Sequence, residues 1–388
     1  MQYKYQLIFL GDTKNPLVDQ ILKAFDRRFE ELNLSKDIVD IIFSDKFEQK
    51  YSNKNPSFCF YIGSAVNANA DINHLDTILK NGDAILPVYF KVDNFRNEIP
   101  DILHPINGAL AKENSCEYFS NIALQGLRLL RKTRKVFISY KRSDSTGVAI
   151  QLFEELSRRN FDPFLDAYSI PPTMDFQNEL YHRMSDSDVL IQLLTPHFHE
   201  SPYCKEEIEI SNVKQIGVVQ VIWPDCDTEA SDRLCIPFKL RDNDIKCGDT
   251  PSNSMLSLES MEKLIAHIES CRARNLAARQ DTLRGEFIQE AKKVGRAVFQ
   301  ENYYIIERDD HKNLLAIYLP AVGVPTSYDY YESKDFRNLL ETPDLKVYLL
   351  YDSLKVQEKW VQHLNWLNSA LEVKSIQRNE FDKWLTKN

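Results

Sequence analysis

A tyrosine and a glutamate four residues apart are placed to do chemistry together. Tyr203 and Glu207 lie in the stretch SPYCKEEIEIS, and helical residues spaced by four share one face. A ring would then lie beside an ionised carboxylate, which could stabilise positive charge developing on a bound molecule. Glu206 and Glu209 flank Glu207, so the residues alone favour a solvated acidic helix face over a site.

The segment around this pair alternates strand and helix patterns. KVFISY, FDPFLD, DVLIQLLT and VVQVIW are short apolar runs, and TGVAIQLFEELSRRN and FQNELYHRMSDS are helical patterns between them. This alternation predicts parallel strands joined by crossover helices. The carboxyl ends of such strands line the crevice where open α/β sheets bind ligands.

The first third of the chain repeats this plan. YQLIFLG, IVDIIFSD, SFCFYIG and AILPVYF are strand patterns, and Asn15 and Pro16 open the helical stretch NPLVDQILKAFDRRFEEL. KNGDAILPVYFKVD aligns with KQIGVVQVIWPD, and IPDILHPIN aligns with IPFKLRDND. Self-similarity of this kind predicts two copies of one α/β unit in tandem, residues 1–132 and 133–252.

Residues 253–388 have a different pattern. A long stretch from SLESMEKLIAHIES to KKVGRAVF is helical in type, and NLLAIYLPA, KVYLLYD and VQEKWVQHLNWLNSAL predict a small α/β domain after it. We expect this region to sense a signal or to oligomerise. Trp360, Trp366 and Trp384 fall here; their spacing favours core contacts, with a ligand platform as the alternative.

Composition excludes several classes of protein. Hydrophobic residues make up 43% and charged residues 27%, so a packed globular core is expected. The net charge of -9 argues against a nucleic-acid binder. We expect no membrane span, because apolar runs are too short, and the first residues predict a strand and not a signal peptide.

Cysteine and glycine patterns bear on metals and cofactors. The seven cysteines include no C-x-x-C pair, which fits reduced thiols in a cytoplasm and predicts no zinc site. The 11 glycines never occur as G-x-G, so the dinucleotide fingerprint of hydride-transfer enzymes is missing. We therefore expect no redox cofactor.

Four stretches together carry a family resemblance: KVFISYKRSDS, FDPFLDAYSI, DVLIQLLTPHF and SPYCKEEIEIS. In this order and spacing, roughly residues 133–250 resemble the TIR (Toll/interleukin-1 receptor) family, and most of all its NAD-cleaving subgroup, which includes bacterial antiphage effectors. The expected fold is therefore α/β, with tandem flavodoxin-like (TIR-type) parallel-sheet domains followed by a helical segment and a small α/β C-terminal domain.

The resemblance implies that Glu207 is catalytic and that Tyr203 lies beside it in the substrate site. NAD would be the substrate and not a cofactor. Nicotinamide is already a cationic leaving group, so it needs no general acid, unlike a sugar-oxygen leaving group. One carboxylate near the ribose can stabilise the developing oxocarbenium charge, and a single glutamate is sufficient in principle.

The resemblance also implies that Tyr140, Arg142, Asp166 and Phe176 bind substrate. The Arg142 guanidinium could pair with pyrophosphate oxygens, and Asp166 ends a strand at the carboxyl edge. Phe176 could pack on a base or on nicotinamide. The structural alternatives are core positions for Tyr140 and Phe176, and surface or turn positions for Arg142 and Asp166.

The sequence departs from the family pattern in two places. Tyr203 stands where the subgroup usually has tryptophan, so a ring is kept and stacking area is lost. The loop AYSIPPTMDF contains Pro171 and Pro172 where a glycine is usual, and prolines stiffen a loop. These departures bear on rate and on the geometry of self-assembly.

Copy one lacks the catalytic pair. In the alignment of the two copies, His74 falls at the position of Glu207, and Ala70 falls at the position of Tyr203. We therefore expect residues 1–132 to be TIR-like or flavodoxin-like but catalytically empty.

Two functions from different classes follow. The first is a cytoplasmic NAD+ nucleosidase that releases nicotinamide and ADP-ribose or a cyclic ADP-ribose, activated by assembly of TIR domains in a defence or cell-death response. The alternative is a non-catalytic TIR scaffold that acts through TIR–TIR interactions. In both cases a trigger or partner protein of unknown identity is expected.

Overall fold

The chain folds into two compact units, Met1–Lys132 and Thr133–Asn388. The computed structural model describes residues 5–32, 34–53, 55–127, 129, 133–165, 176–198, 216–224, 226, 235–301, 304–339, 345–354 and 356–387.

The first unit is a parallel five-stranded sheet with helices between its strands. The sheet order is β2-β1-β3-β4-β5, and every neighbouring pair is parallel. The strands are β1 (Tyr5–Gly11), β2 (Val39–Phe43), β3 (Ser57–Ile62), β4 (Ala84–Tyr89) and β5 (Ala109–Leu110). The helices are α1 (Pro16–Glu31), α2 (Phe47–Lys50), α3 (Ile72–Lys80), α4 (Phe95–Glu98) and α5 (Cys116–Gly126).

Helix α1 shows how the sequence starts an element. The Asn15 side chain accepts a hydrogen bond from the Leu17 N–H at 3.1 Å, and Pro16 is the first helical residue. An asparagine cap with proline after it satisfies an exposed donor and presets the backbone. Phe25 and Phe29 on the buried face then pack on each other with ring centroids 4.7 Å apart, so an amphipathic helix covers the sheet.

Asp83 makes the stability of the first unit depend on pH. Its carboxylate accepts a hydrogen bond from the Tyr51 hydroxyl, and burial raises the pKa of Asp83 to about 6, above the value of about 3.9 in unfolded chains. The folded unit therefore binds this proton more tightly than the unfolded chain does. The contribution of Asp83 to the free energy of unfolding therefore increases as pH falls from about 7 to about 4.

We expect Asp83→Asn to remove that contribution. Hydrogen exchange of the β3 and β4 amides reports on this unit within the full chain. After correction for intrinsic exchange, amide protection should increase more in the wild type than in the variant when the pH is lowered from 7.5 to 5. An identical pH response in the two proteins would contradict the prediction.

The second unit begins with a sheet of the same topology. Its order is β10-β9-β8-β6-β7, and its neighbouring strands are all parallel. Counted from its own first strand, this is again 2-1-3-4-5. The strands are β6 (Lys135–Ser139), β7 (Asp162–Leu165), β8 (Val189–Leu194), β9 (Gly217–Ile222) and β10 (Ile236–Lys239), with helices α6 (Arg142–Arg158) and α7 (Phe176–Asp186).

One of the two sequence alignments between the copies holds, and the other does not. β4 and β9 both occupy the fourth place in the strand order, as the first alignment predicts. The second alignment is wrong, because β10 is a strand whereas Asp101–Leu103 is a 3-10 turn. The fifth strand of the first unit, β5, forms later, since Pro100 leads the chain into that turn.

The rest of the second unit is a long helix and a mixed sheet. Two short strands, β11 (Ile245–Lys246) and β12 (Met255–Leu256), pair antiparallel before helix α8 (Leu258–Lys293). The third sheet runs β13-β14-β15-β16-β17, antiparallel at β13–β14–β15 and parallel at β15–β16–β17. Its elements are β13 (Val298–Glu301), β14 (Tyr304–Arg308), β15 (Leu314–Ala321), α9 (Ser327–Leu339), β16 (Lys346–Tyr351), α10 (Glu358–Ala370), β17 (Lys374–Gln377) and α11 (Phe381–Lys387). The mixed α/β class with parallel-sheet domains, a helical segment and a C-terminal sheet domain is therefore confirmed.

The tryptophans of this last region behave differently from one another. Trp384 packs on the core, with its ring 4.7 Å from that of Tyr348. Trp360 is 42% exposed and Trp366 is 63% exposed, so the expectation of core contacts is wrong for these two. Leu364 and Leu367 supply the buried face of α10. Trp366 lies to the side of that face, and Trp360 lies one turn before Leu364, near the start of the helix.

Candidate functional site

The candidate site lies at the carboxyl edge of the second sheet. The chain leaves β6 toward β7 on one side, while β8 lies on the other side of β6, so the connections diverge between β6 and β8. Open α/β sheets bind ligands in the crevice at such a switch point. Tyr140 and Lys141 follow β6 directly, and Thr195 follows β8.

Two side-chain contacts join the loops that flank this crevice. Lys141 Nζ donates to the His197 carbonyl oxygen at 2.9 Å, and the Thr195 hydroxyl donates to Asp144 Oδ2 at 3.0 Å. The Ser143 hydroxyl donates to the other carboxylate oxygen of Asp144 at 2.5 Å. Because both oxygens of Asp144 are engaged, the first turn of α6 is held to the end of β8.

Arg142 is the first residue of α6 and is exposed. A helix N-terminus carries partial positive charge from its free N–H groups, and a guanidinium adds a full charge with paired donors. The first turn of α6 thus carries the positive charge of Arg142 next to the negative charge of Asp144. α6 also bends here, since Ser145 has φ -143° and ψ 24° within the helix.

Tyr140, directly after β6, is almost fully buried. It is 7% exposed and belongs to the hydrophobic cluster that includes Ile138, Val148 and Val219. The structure thus places it in the core position that the sequence left open as its alternative. Tyr140 can still support the crevice from below, because it connects β6 to α6.

Of the four remaining predicted site residues, the structure describes one. Glu207, Tyr203 and Asp166 lie outside the described residues, and their proposed roles stay predictions. Phe176 is the first residue of α7.

An apolar floor lies under the same edge. Leu194, Phe198 and Ile222 form a buried cluster against which Cys226 packs. These residues come from the ends of β8 and β9 and the loops after them. The ends of β8 and β9 are thus packed together by apolar side chains.

Residues 136–248 match the family model described as the TIR domain. This match covers the second parallel sheet and the candidate site, and it confirms the coarse part of the family prediction. The topology described above, 2-1-3-4-5 with all strands parallel, accompanies it. The name TIR domain is used below for this region.

Comparisons over the whole chain add no further assignment. No curated protein matches the chain. Among solved structures, a fatty acid ABC transporter substrate-binding protein from Thermomonospora curvata is 12% identical, with 80% of this chain and 90% of that chain covered and a TM-score of 0.21. A conserved domain protein from Vibrio cholerae is 12% identical, with 71% and 88% covered and a TM-score of 0.18. Superpositions this poor carry no conclusion about function.

Polar contacts hold helix α7 of the TIR domain against the C-terminal region. Gln357 Nε2 donates to Glu179 Oε2 at 2.8 Å, and the Val324 N–H donates to Asp186 Oδ1 at 2.9 Å. Arg183 Nε donates to the second oxygen of Glu179 at 2.7 Å. The helix that begins at Phe176 is therefore fixed from its first turn to its end by residues of another domain.

A ring contact completes this junction. The imidazole of His182 stacks on the indole of Trp360, with centroids 5.5 Å apart and planes 14° from parallel. Burial lowers the pKa of His182, and the neighbouring carboxylates of Asp186 and Glu179 oppose that shift. His182 is therefore neutral near pH 7, which suits a stacking contact.

Helix α8 positions the other end of β8. Arg272 Nε donates to Asp188 Oδ2 at 2.7 Å, with both side chains fully buried. Arg279 donates to the carbonyl oxygens of Ser187 at 2.7 Å and Ser185 at 3.2 Å. The start of β8 and the end of α7 are thus anchored to α8, which places the carboxyl end of β8 relative to α6.

The corresponding edge of the first unit is filled by its own groups. Asp71 has φ 56° and accepts hydrogen bonds from the Gly11 N–H at 2.8 Å and the Ser44 hydroxyl at 2.5 Å. At Gly11, φ is +82° and an added Cβ would lie 2.3 Å from the Ile62 carbonyl oxygen. The ends of β1, β2 and β3 therefore bond to each other, which leaves less room for a ligand.

His74 lies beside this filled edge. Its ring stacks on Phe47 at 4.4 Å, and its Nε2 is 3.3 Å from Glu48 Oε1. The Ala70 carbonyl oxygen accepts a hydrogen bond from the Tyr61 hydroxyl at 3.3 Å. Through these contacts His74 takes part in the packing of the first unit.

Three polar residues at the TIR edge were missed by sequence reasoning. Lys141, Asp144 and Thr195 tie the two loops together, yet only Arg142 was singled out from the run KRSDS. The available signal was position, because all three follow a buried strand within a few residues. Within the described ranges, no group of three or more His, Cys, Asp or Glu residues could hold a metal ion.

Proposed function

We propose that this protein is a TIR-domain NAD+ nucleosidase that cleaves the bond between nicotinamide and ribose. The products would be nicotinamide and either ADP-ribose or a cyclic ADP-ribose. The observation that carries the proposal is the polar edge between β6 and β8, in the region that matches the TIR family. There Arg142 opens α6 beside Asp144 and Thr195, which are hydrogen-bonded to each other.

The edge suits the anionic part of the substrate. The Arg142 guanidinium and the N-terminus of α6 would neutralise a pyrophosphate. The contact between Asp144 and Thr195 would keep α6 and β8 at a constant separation while the dinucleotide binds. Holding a substrate in one geometry removes entropic cost from the reaction step.

Glu207 would supply the chemical step. Departure of the neutral nicotinamide leaves oxocarbenium character on the ribose, and an ionised carboxylate stabilises that charge. Water, or a nitrogen of the adenine for a cyclic product, would then form the new bond at the same ribose carbon. No other acid is required, because the leaving group already carries positive charge.

The other two regions would regulate this activity. The first unit would contribute no catalytic residue, because its corresponding edge is closed by Asp71 and Gly11. The C-terminal region contacts α7 through Gln357, Val324 and Trp360, so a change there would move the helix that begins at Phe176. We infer that activity depends on self-association of TIR domains and on this contact.

The test is direct incubation of the purified full-length protein with NAD across a range of protein concentrations. Nicotinamide release is followed by chromatography, and light scattering gives the assembly size in the same samples. We expect release per molecule to increase with assembly size. Self-association without nicotinamide release at any concentration would overturn the proposal in favour of a non-catalytic scaffold.

The described part of the chain contains no helix that is long and apolar enough to cross a membrane.

A further inference from the structure

Three rings follow one another along α10. Trp360, His363 and Trp366 are spaced by three residues, with centroid distances of 5.9 Å for each neighbouring pair. The planes of His363 and Trp366 lie 26° apart. In this set, which we call the ring row, Trp360 lies one turn before the buried Leu364 on the same side of the helix, and Trp366 lies away from that side.

The exposure of the ring row is costly unless it has a use. Two tryptophans at 42% and 63% exposure leave apolar area in water that a polar residue would not. Tryptophan is enriched where proteins bind other molecules.

A cleft lies at one end of the ring row. It has a volume of about 290 Å³ and is lined by Lys359, Trp360 and His363. That volume is at the lower limit for small-molecule sites, which begin at about 300 Å³. The cleft is shallow and open, so a ligand of mononucleotide size would lie on it with one side in solvent.

One ring of the cleft is held in place from behind. The face of Trp360 stacks on His182 of the TIR domain at 5.5 Å and 14°, and His182 is buried. A ring fixed in this way loses little freedom when a ligand stacks on its open edge or face, so binding costs less entropy. The platform is therefore preorganised.

The chemistry of the lining selects the ligand. Indole and imidazole rings stack on planar aromatic groups, and the Lys359 ammonium attracts an anion. A nucleic-acid strand is disfavoured by the net charge of -9. We propose that this cleft binds a small planar aromatic anion of the size of a purine mononucleotide.

Three probe molecules distinguish the contribution of the base from that of the phosphate. AMP has base and phosphate, adenosine has the base alone, and ribose 5-phosphate has the phosphate alone. Titration calorimetry on the full-length protein, with tryptophan fluorescence as a second signal, should show AMP bound most tightly and adenosine more weakly. Ribose 5-phosphate should not compete measurably. Equal binding of AMP and ribose 5-phosphate would overturn the proposal.

Substitutions of the residues that line the cleft test whether AMP binds there. Trp360→Ala should weaken AMP at least about tenfold, because one base–ring stack is lost, and Trp360→Phe should retain part of the affinity. Lys359→Gln should weaken AMP about two- to fivefold and leave adenosine unchanged. Tyr331→Ala, which removes an aromatic ring on α9 that is 61% exposed, is the control and should change nothing.

Two outcomes would refute the assignment. AMP affinity unchanged in a folded Trp360→Ala protein would mean that the nucleotide binds elsewhere, for example at the TIR edge. Failure of AMP to bind, together with concentration-dependent association that Trp360→Ala removes, would mean that the ring row is a contact between copies of the chain.

Discussion

Replacing Glu207 with glutamine is expected to abolish NAD cleavage, with a loss of at least about 100-fold in kcat. The glutamine amide has nearly the same shape as the carboxylate but no charge, so it cannot stabilise an oxocarbenium-like ribose. Substrate binding should be affected much less, since the pyrophosphate would be held at Arg142. Nicotinamide release under saturating NAD, together with NAD affinity by calorimetry, measures the two effects separately.

His74→Ala is the matched control for that experiment. His74 aligns with Glu207 in the first copy but packs on Phe47 beside a closed edge, so turnover per assembled molecule should be unchanged. Both variants are compared at equal assembly size. Full activity of Glu207→Gln would refute the catalytic assignment, and loss of activity in His74→Ala would show that the first unit carries chemistry.

Arg272→Met is expected to destabilise the second unit by about 3–5 kcal/mol. Arg272 and Asp188 are both fully buried, and Arg272 Nη2 also donates to the Thr133 carbonyl oxygen at 3.1 Å. Removing the guanidinium leaves a buried carboxylate without its charged partner. Urea denaturation of the full-length chain, followed by hydrogen exchange of the β8 amides, locates the loss in this unit.

Two further variants isolate the cause. Arg272→Met combined with Asp188→Asn should recover part of the loss, because no unpaired charge remains. Lys263→Met breaks an exposed pair with Glu259 on the same helix and should cost well under about 1 kcal/mol. A loss in Arg272→Met no larger than that in Lys263→Met would show that the buried pair contributes little.

The sequence alone was sufficient for the parallel-sheet architecture. β3 and β8 are buried along their whole length, and β1 is buried up to Gly11; such strands appear in the sequence as continuous apolar runs. The helices between them can be recognised from their capping residues and from the helical period of their apolar residues, as α1 is from its cap residue Asn15. These signals depend only on residues close in the sequence, so they can be interpreted without knowing which segments are in contact.

Other features could not be predicted because they depend on contacts between distant residues. The similarity of IPDILHPIN to IPFKLRDND suggested equivalent strands, but only pairing with a neighbour makes a strand, and β10 pairs with β9 while Asp101–Leu103 pairs with no strand. Trp360 and Trp366 have the spacing of core residues, yet both are exposed, whereas Leu364 and Leu367 of the same helix are buried. Rotation of a helix about its axis is decided by what it packs against.

The sequence by itself determined the fold class, the position of the TIR domain and the residue types available at its carboxyl edge. Only the tertiary structure decided that Asp144 bonds to Thr195, that Asp71 closes the corresponding edge of the first unit, and that α7 is held by residues such as Gln357. The physical reason is the separation along the sequence of the residues that interact. Apolar periodicity and caps are set by neighbours in the chain, whereas these hydrogen bonds join residues 51, 60 and 178 positions apart.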